Sequence, residues 1–281
     1  FRRVLFRSAQ EVKASVLEGV HRTTLKAGSS TQQILQKTGD DVRIDWGHLY
    51  VSFPSDKIAW KQDISSSGSD YFTPSGKNFI SGKDLMLNSR ATFTAKPVFG
   101  KQLIAFGYDD VESVTYFGKN LKAWWKLTGA DIDKTLTNAI QHFPVIQERC
   151  LEWDNKIYQD ALRAGGKKYA ELCVMAYRQA VAAHKLVRSP DGEILFLSKE
   201  NFSNGSINTV DVTYPSASLF LAYNPSLLEG MLNGIFYYSE SGKWTKPFAA
   251  HDLGTYPIAN GQTYPGDMPV EECGNMIILT A

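Results

Sequence analysis

Up to about residue 129, apolar and polar residues alternate over short runs, and beyond it the apolar positions recur every three or four residues. The first pattern suits strands with one buried face and the second suits helices. Runs at 12–19, 32–37, 43–53, 91–95, 101–107 and 110–118 mix β-branched and aromatic residues with polar ones. Turn formers separate them at Ala27-Gly-Ser-Ser30, Thr38-Gly-Asp-Asp41, Ser65-Ser-Ser-Gly-Ser69 and Pro74-Ser-Gly76. With no helical run between the strands, the pattern predicts an antiparallel β-sandwich over residues 9–129.

Leu121, Trp124, Trp125 and Leu127 close that region with an apolar-aromatic group. Asp131 then caps a helix whose first turn holds Asp133. A second helix starts near Pro144 and sets Val145, Ile146, Cys150, Trp153, Ile157, Ala161 and Leu162 on one face, until Gly165-Gly166 stops it. A third keeps the period through Tyr169, Leu172, Cys173, Ala176, Ala180, His184 and Val187, which makes a helical hairpin. Pro190-Asp-Gly192 predicts a turn into a short strand at 193–197, and 201–208 reads as a polar loop. Further helices are expected at 214–223, entered through Pro215, at 227–238, opened by Asn224-Pro225, and after Pro269. The helical domain therefore covers residues 130–281.

The chain has 281 residues, enough for two domains, and carries 30 basic against 29 acidic residues with neither sign clustered. That balance gives no electrostatic footprint for nucleic acid or an anionic membrane, and no run is long and apolar enough for a membrane span. The partner expected is a small molecule. Cys150, Cys173 and Cys273 are widely spaced, with Cys150 and Cys173 expected as buried thiols on helix faces. Phe1-Arg-Arg-Val-Leu-Phe-Arg-Ser8 reads as the translation of a sequencing adapter and is set aside as an artefact, so the chain is expected to be a fragment from environmental reads.

Candidate chemistry concentrates between Asp211 and Asn275, where turn formers alternate with acids, hydroxyls and large aromatics. Asp211, Asp252, Glu271 and Glu272 are the candidate catalytic carboxylates, because two acids in different environments can divide acid and base work. The competing reading makes Asp211 and Glu271 simple helix-start charges. His251 adjoins Asp252, but neighbours on an extended chain face opposite sides, so no dyad is expected from the adjacency. Tyr214, Trp244, Lys246, His251 and Tyr256 are candidate substrate contacts, with Lys243, Phe248 and Tyr264 nearby. Thr213, Ser216 and Thr255 are the hydroxyls in the region, no Gly-x-Ser-x-Gly or Ser-x-x-Lys is present, and Cys273 is expected to be a structural thiol. No His-x-x-x-His, Cys-x-x-Cys or calcium-loop spacing occurs, so no metal or cofactor is expected from motif.

The segments Asp211-Val-Thr-Tyr-Pro-Ser216, Gly242-Lys-Trp-Thr-Lys-Pro-Phe-Ala-Ala-His-Asp252 and Gly266-Asp-Met-Pro-Val-Glu-Glu272-Cys-Gly-Asn275 resemble the core of the glutaminase A family. Ser218 departs from it, standing where proline is expected. The resemblance implies a β-rich domain followed by a six-helical-hairpin (α/α)6 toroid, of which this chain would hold only the first part, leaving an open ring with bare apolar helix faces. It implies a glutaminase-like amidohydrolase that releases ammonia from L-glutamine, exported to the periplasm, cell surface or medium. A glycoside hydrolase using a carboxylate pair is the alternative, since the toroid is shared with such enzymes. A carbohydrate- or peptide-binding protein is the third reading, and it expects exposed aromatics to gather on the sandwich.

Overall fold

The computed structural model describes residues 11–36, 38, 46–55, 60–66, 74–91, 102–200 and 204–281. Among them the strands β1 (Val12–Glu18), β2 (Arg22–Ser29), β3 (His48–Pro54), β4 (Trp60–Ser66), β5 (Phe79–Gly82), β6 (Leu85–Ala91) and β7 (Ala105–Asp109) come first. With helix α1 (Ile132–Gln141) they form one compact unit. A five-stranded antiparallel sheet runs β5-β1-β2-β3-β7, and β4 pairs with β6 in a second sheet. Ile64, Leu85 and Leu87 of the small sheet pack on Val12, Ala14, Leu25, Ala27, Leu49, Val51 and Phe53 of the large one. This is the sandwich core. Helix α1 covers the other face, where Leu136 and Ile132 lie over Gly107, and buried Arg22 reaches across to Asp133 and Thr137.

The second unit contains β8 (Val114–Tyr116), β9 (Lys119–Leu121), a 3-10 turn at Trp124–Lys126, and most of helix α2 (Phe143–Ala182). It continues through β10 (His184–Arg188), β11 (Ile194–Ser198), α3 (Val210–Tyr223), α4 (Pro225–Glu240), β12 (Ile258–Ala259) and α5 (Pro269–Thr280). Its core joins Val187, Leu195 and Leu197 of the β10–β11 hairpin to Phe220 of α3, Met231 and Ile235 of α4, Leu253 and Met276. The chain is thus antiparallel sheets followed by helices. Among the described residues no helix is long and apolar enough to cross a membrane.

Several sequence signals act as expected. Asp131 accepts the Lys134 N–H at 2.7 Å, Pro225 and Pro269 open α4 and α5, and Gly166, with φ 78° and ψ −176°, breaks α2. Other expectations need correction. Residues 32–36 form no strand, because the Gln32 side chain donates to the carbonyl of Ser29 (2.8 Å) and residues 34–35 turn. The supposed turn at Ala27–Ser30 is mostly strand: a Cβ on Gly28 would sit 2.6 Å from the Gly47 carbonyl, so glycine there permits a close strand contact. Ser65 and Ser66 likewise finish β4, and β2, β4, β5 and all of β6 but Ala91 lie outside the expected strands. The helix expected to run to Val187 ends at Ala182, since residues 184–188 pair with β11 and bury Val187 opposite Leu195. Helix α3 starts at Val210 with Pro215 inside it, which removes one bond to the Asp211 carbonyl. Cys150 is exposed and Cys173 half-buried, where both were expected to be buried, and all three thiols are free. The predicted segments at 37, 39–41, 43–45, 67–69, 92–95, 101 and 201–203 lie outside the described residues. Leu151, Leu172, Met175, Leu221 and Ile277 are exposed on α2, α3 and α5.

Two glycines of the second unit separate strain from space. Gly254 has φ 138°, and a Cβ there would lie 2.2 Å from the Ile258 carbonyl, whereas a Cβ on Gly274 in α5 meets nothing within 4 Å. Gly254→Ala is expected to lose at least about 1–3 kcal/mol of unfolding free energy, and Gly274→Ala to be neutral or stabilising. Urea titrations read both, and equal effects would contradict the geometry.

His184 gives a pH prediction. Its Nδ1–H donates to the Ala180 carbonyl at 2.6 Å, its ring stacks on Phe196 at 4.3 Å, and Nε2 is buried with no partner among the described residues. Burial lowers its pKa from the ordinary 6.5 despite the bond to Ala180. The unfolded chain therefore takes up a proton that the folded one refuses. Stability falls as pH drops below 6.5 and levels off below the folded pKa, with a slope of at most about 1.4 kcal/mol per pH unit. His184→Leu is expected to flatten that part of the stability–pH curve.

Candidate functional site

Three segments of the second unit converge because backbone bonds tie them together. The loop after α4 pairs with the stretch before α3: Ile207 N–H donates to the Gly254 carbonyl (2.9 Å), Leu253 N–H to Ile207 (3.0 Å) and Val210 N–H to His251 (2.9 Å). This sets Asp211, in the first turn of α3, beside His251. Helix α5 joins through the Ala249 N–H, which donates to Cys273 Sγ at 3.4 Å, and its first turn carries Glu271 and Glu272. Leu253 anchors the loop under α4, where Gly234 leaves room for it; a Cβ there would be 2.6 Å from Leu253 Cδ1.

Asp252 is fully buried and organises the loop. Its Oδ1 accepts the N–H groups of Gly254 (2.7 Å) and Thr263 (3.0 Å), and its Oδ2 accepts that of Tyr264 (3.2 Å) and lies 2.9 Å from His251 Nδ1. The adjacency of His251 and Asp252 is therefore a real pair, against expectation. The chain bends at His251 and Leu253 instead of running extended, and the two neighbouring side chains meet. Tyr264 stacks on the imidazole at 4.1 Å, and Gln262 Oε1 accepts the His251 N–H at 2.8 Å.

Asp211, His251 and Glu272 form one cluster, with their ligand-capable atoms all within 4.8 Å of one another. Glu272 is fully buried, and neither of its oxygens, nor Asp211 Oδ1, has a hydrogen-bond partner among the described residues. Burial, then the charge of Asp211, push the Glu272 carboxyl up to about 8, with His251 opposing. For His251, burial works against the charged ring, but the bond to Asp252 and the charges of Asp252, Asp211 and Glu272 outweigh it and raise the pKa.

The other sequence candidates fall outside this cluster. Glu271 is exposed on the outer side of the same helical turn, and Tyr214 is exposed on α3. Trp244 packs between Tyr238 and Phe248, and Lys246 pairs with Asp267 at an exposed position over both Trp244 and Phe248. Tyr256 is buried beneath Lys199, 5.6 Å from its ring. One acid escaped the sequence reading. Glu200 accepts from Thr209 Oγ1 at 3.1 Å, and burial, then its neighbours Asp211 and Asp252, raise its pKa against the bond from Thr209 and the charge of His251. Nothing in the polar stretch around it sets it apart.

Antiparallel sheets followed by helices that carry a buried carboxylate–imidazole cluster make this a β plus α/α protein. The chain belongs to the glutaminase A family. The family described as "Glutaminase A six helical-hairpin domain" matches residues 166–281, and a "Domain of unknown function (DUF5127)" matches 6–160. The chain is similar to the "Glutaminase A" of Aspergillus oryzae, 31% identical over 84% of this chain and 36% of that protein. It is also similar to a "Probable glutaminase" of Arthroderma benhamiae, 34% identical over 57% of this chain and 19% of the relative. It thus spans little more than a third of the first relative's length. No solved structure matches.

Replacing the Asp252 carboxylate by an amide removes the buried charge paired with His251 and sets an NH2 group, in place of Oδ2, against the Tyr264 N–H. Asp252→Asn is expected to cost roughly 3–5 kcal/mol, read from the urea midpoint, and His251→Gln to cost less because the backbone contacts remain. An Asp252→Asn variant as stable as wild type would contradict the role given to this carboxylate.

Proposed function

We propose that the protein to which this chain belongs is a glutaminase-type amidohydrolase that releases ammonia from L-glutamine, with Asp211, His251, Asp252 and Glu272 at its reaction centre. The observation that carries this reading is the His251–Asp252 pair, 4% and 0% exposed, set beside two carboxylates with unpartnered oxygens. Buried polar groups left without partners at a cleft are where a substrate or a reacting water finds its contacts. Hydrolysis of the side-chain amide needs a polarised water set against the amide carbon, and the cluster can hold that water while Asp252 fixes the imidazole. The similarity to relatives named glutaminases supports the same class.

Substrate contacts follow from position. Tyr214 lies three residues from Asp211 along α3 and is exposed, so it can meet a molecule entering beside the cluster. Lys246, over Trp244, would take up a substrate carboxylate only by exchanging its partner Asp267, while buried Tyr256 shapes the loop.

A second reading has one observation in its favour. The atoms of Asp211 and Glu272 lie within 4.8 Å, near the short carboxylate spacing of retaining glycosidases and well short of the inverting one. A binding role for the sandwich has less support, since the exposed large aromatics divide between it (Phe79, Phe106, Tyr108) and the helices (Phe143, Tyr169, Tyr214).

The test is ammonia release from L-glutamine by the full-length protein, beside a panel of aryl glycosides. Asp211→Asn and Glu272→Gln are each expected to lower kcat/KM for glutamine by about 10²–10⁴-fold, with the glycosides untouched. Glycoside cleavage without ammonia would overturn the reading in favour of the carboxylate-pair enzyme.

A further inference from the structure

Setting fully buried Glu272 beside half-buried Asp211, with both Glu272 oxygens and Asp211 Oδ1 unpartnered among the described residues, is unfavourable unless a proton or a cation completes the arrangement. Hydrogen bonding elsewhere in the loop is well provided, since Asp252 collects three backbone N–H groups and Gln262 is bonded at both ends of its amide. Asn208 Oδ1 and Ser198 Oγ are also buried without a partner among the described residues, but the unpartnered oxygens of Glu272 and Asp211 are carboxylate oxygens gathered at one imidazole. They come from the first turns of two helices and are joined by the imidazole of a loop residue, so three independent elements aim their donors at one point.

We propose that Asp211, His251 and Glu272 bind a divalent transition-metal ion of the zinc type. Nδ1 of His251 is committed to Asp252, which leaves Nε2 for the ion and reproduces the carboxylate–histidine–metal relay that fixes the ring and its tautomer. One imidazole with two carboxylates suits Zn2+, Mn2+ or Fe2+, whereas Ca2+ requires more oxygen ligands than the cluster offers. Three protein ligands leave a position open for water or substrate, as in catalytic rather than structural zinc sites. Metal bonds of about 2.0–2.2 Å set neighbouring ligand atoms about 3–3.5 Å apart, so a pair at the 4.8 Å limit closes by side-chain rotation. No local motif announces the site because its ligands lie 40 and 21 residues apart, at 211, 251 and 272.

The inference concerns the ion and not the reaction, so its test reads metal directly and stands apart from the amidohydrolase reading. The purified chain is stripped with a chelator and titrated with Zn2+ by calorimetry, and Co2+ is added to a second sample for its visible absorption. One equivalent of Zn2+ per chain is expected, with a rise in Tm that grows with free Zn2+ and a Co2+ spectrum of nitrogen–oxygen coordination. Asp211→Asn, His251→Gln and Glu272→Gln should each weaken Zn2+ binding by well over tenfold, and Asp252→Asn, acting through the ring, by about 10–100-fold. Glu271→Gln, exposed on the same turn, should bind as wild type.

Wild-type chain that takes up no stoichiometric Zn2+, Co2+ or Mn2+ overturns the proposal, whatever the variants do. So does uptake that survives all three ligand substitutions, or that is lost equally in Glu271→Gln. If L-glutamine raises the Tm of the stripped chain and Zn2+ does not, the cluster receives the ammonium of an amino acid, and the metal assignment falls.

Discussion

The second unit depends on one buried carboxylate. Asp252 has no contact with solvent, and its two oxygens are taken up by the N–H groups of Gly254, Thr263 and Tyr264 and by the imidazole of His251. A charge in that position holds only if every lone pair is used, and that requirement fixes the path of the loop on both sides of it. Gly254 supplies the backbone conformation that brings its own N–H round to Oδ1, and Gln262 stitches the return strand to the His251 N–H. The loop is thus folded around a charge as a core is folded around apolar side chains.

From that point the site follows by connection. The same loop is bonded through Ile207, Leu253, Val210 and His251 to the stretch leading into α3, and through Ala249 to Cys273 of α5. Both helices begin where an acid falls in the first turn, and both acids meet the imidazole. Asp252 is fully partnered whereas Glu272 is not, although both are completely buried and less than a helix turn of sequence geometry separates Glu272 from its exposed neighbour Glu271. That contrast between one fully satisfied buried carboxylate and one left bare is the ground on which the metal proposal stands.

How much of this could be read from the sequence divides along physical lines. Helix starts were legible because Asp131, Pro225 and Pro269 act through their own backbone neighbours. Strands were less so. Gly28 looked like a turn residue, but its lack of a side chain serves a close contact with Gly47 and His48, and that partner lies some twenty residues away. Residues 184–188 kept a helical period and yet became a strand, paired with β11 so that Val187 is buried opposite Leu195. Local pattern describes a segment, and tertiary pairing decides between two uses of it.

The candidate site shows the same division. Asp211, His251, Asp252 and Glu272 could be selected by residue type and by their setting among turn formers, whereas Glu271 could not be told from Glu272 without the helical phase, and Glu200 carried no signal. The His251–Asp252 pairing contradicted the rule that neighbours diverge, because that rule assumes extended chain. Native-state hydrogen exchange of the amides of Gly254, Thr263 and Tyr264, followed by NMR on the labelled chain, tests the central role of Asp252 most directly. The account predicts that these loop amides are protected nearly as strongly as those of the α4 core. Exchange at the rate of an open surface loop would contradict it.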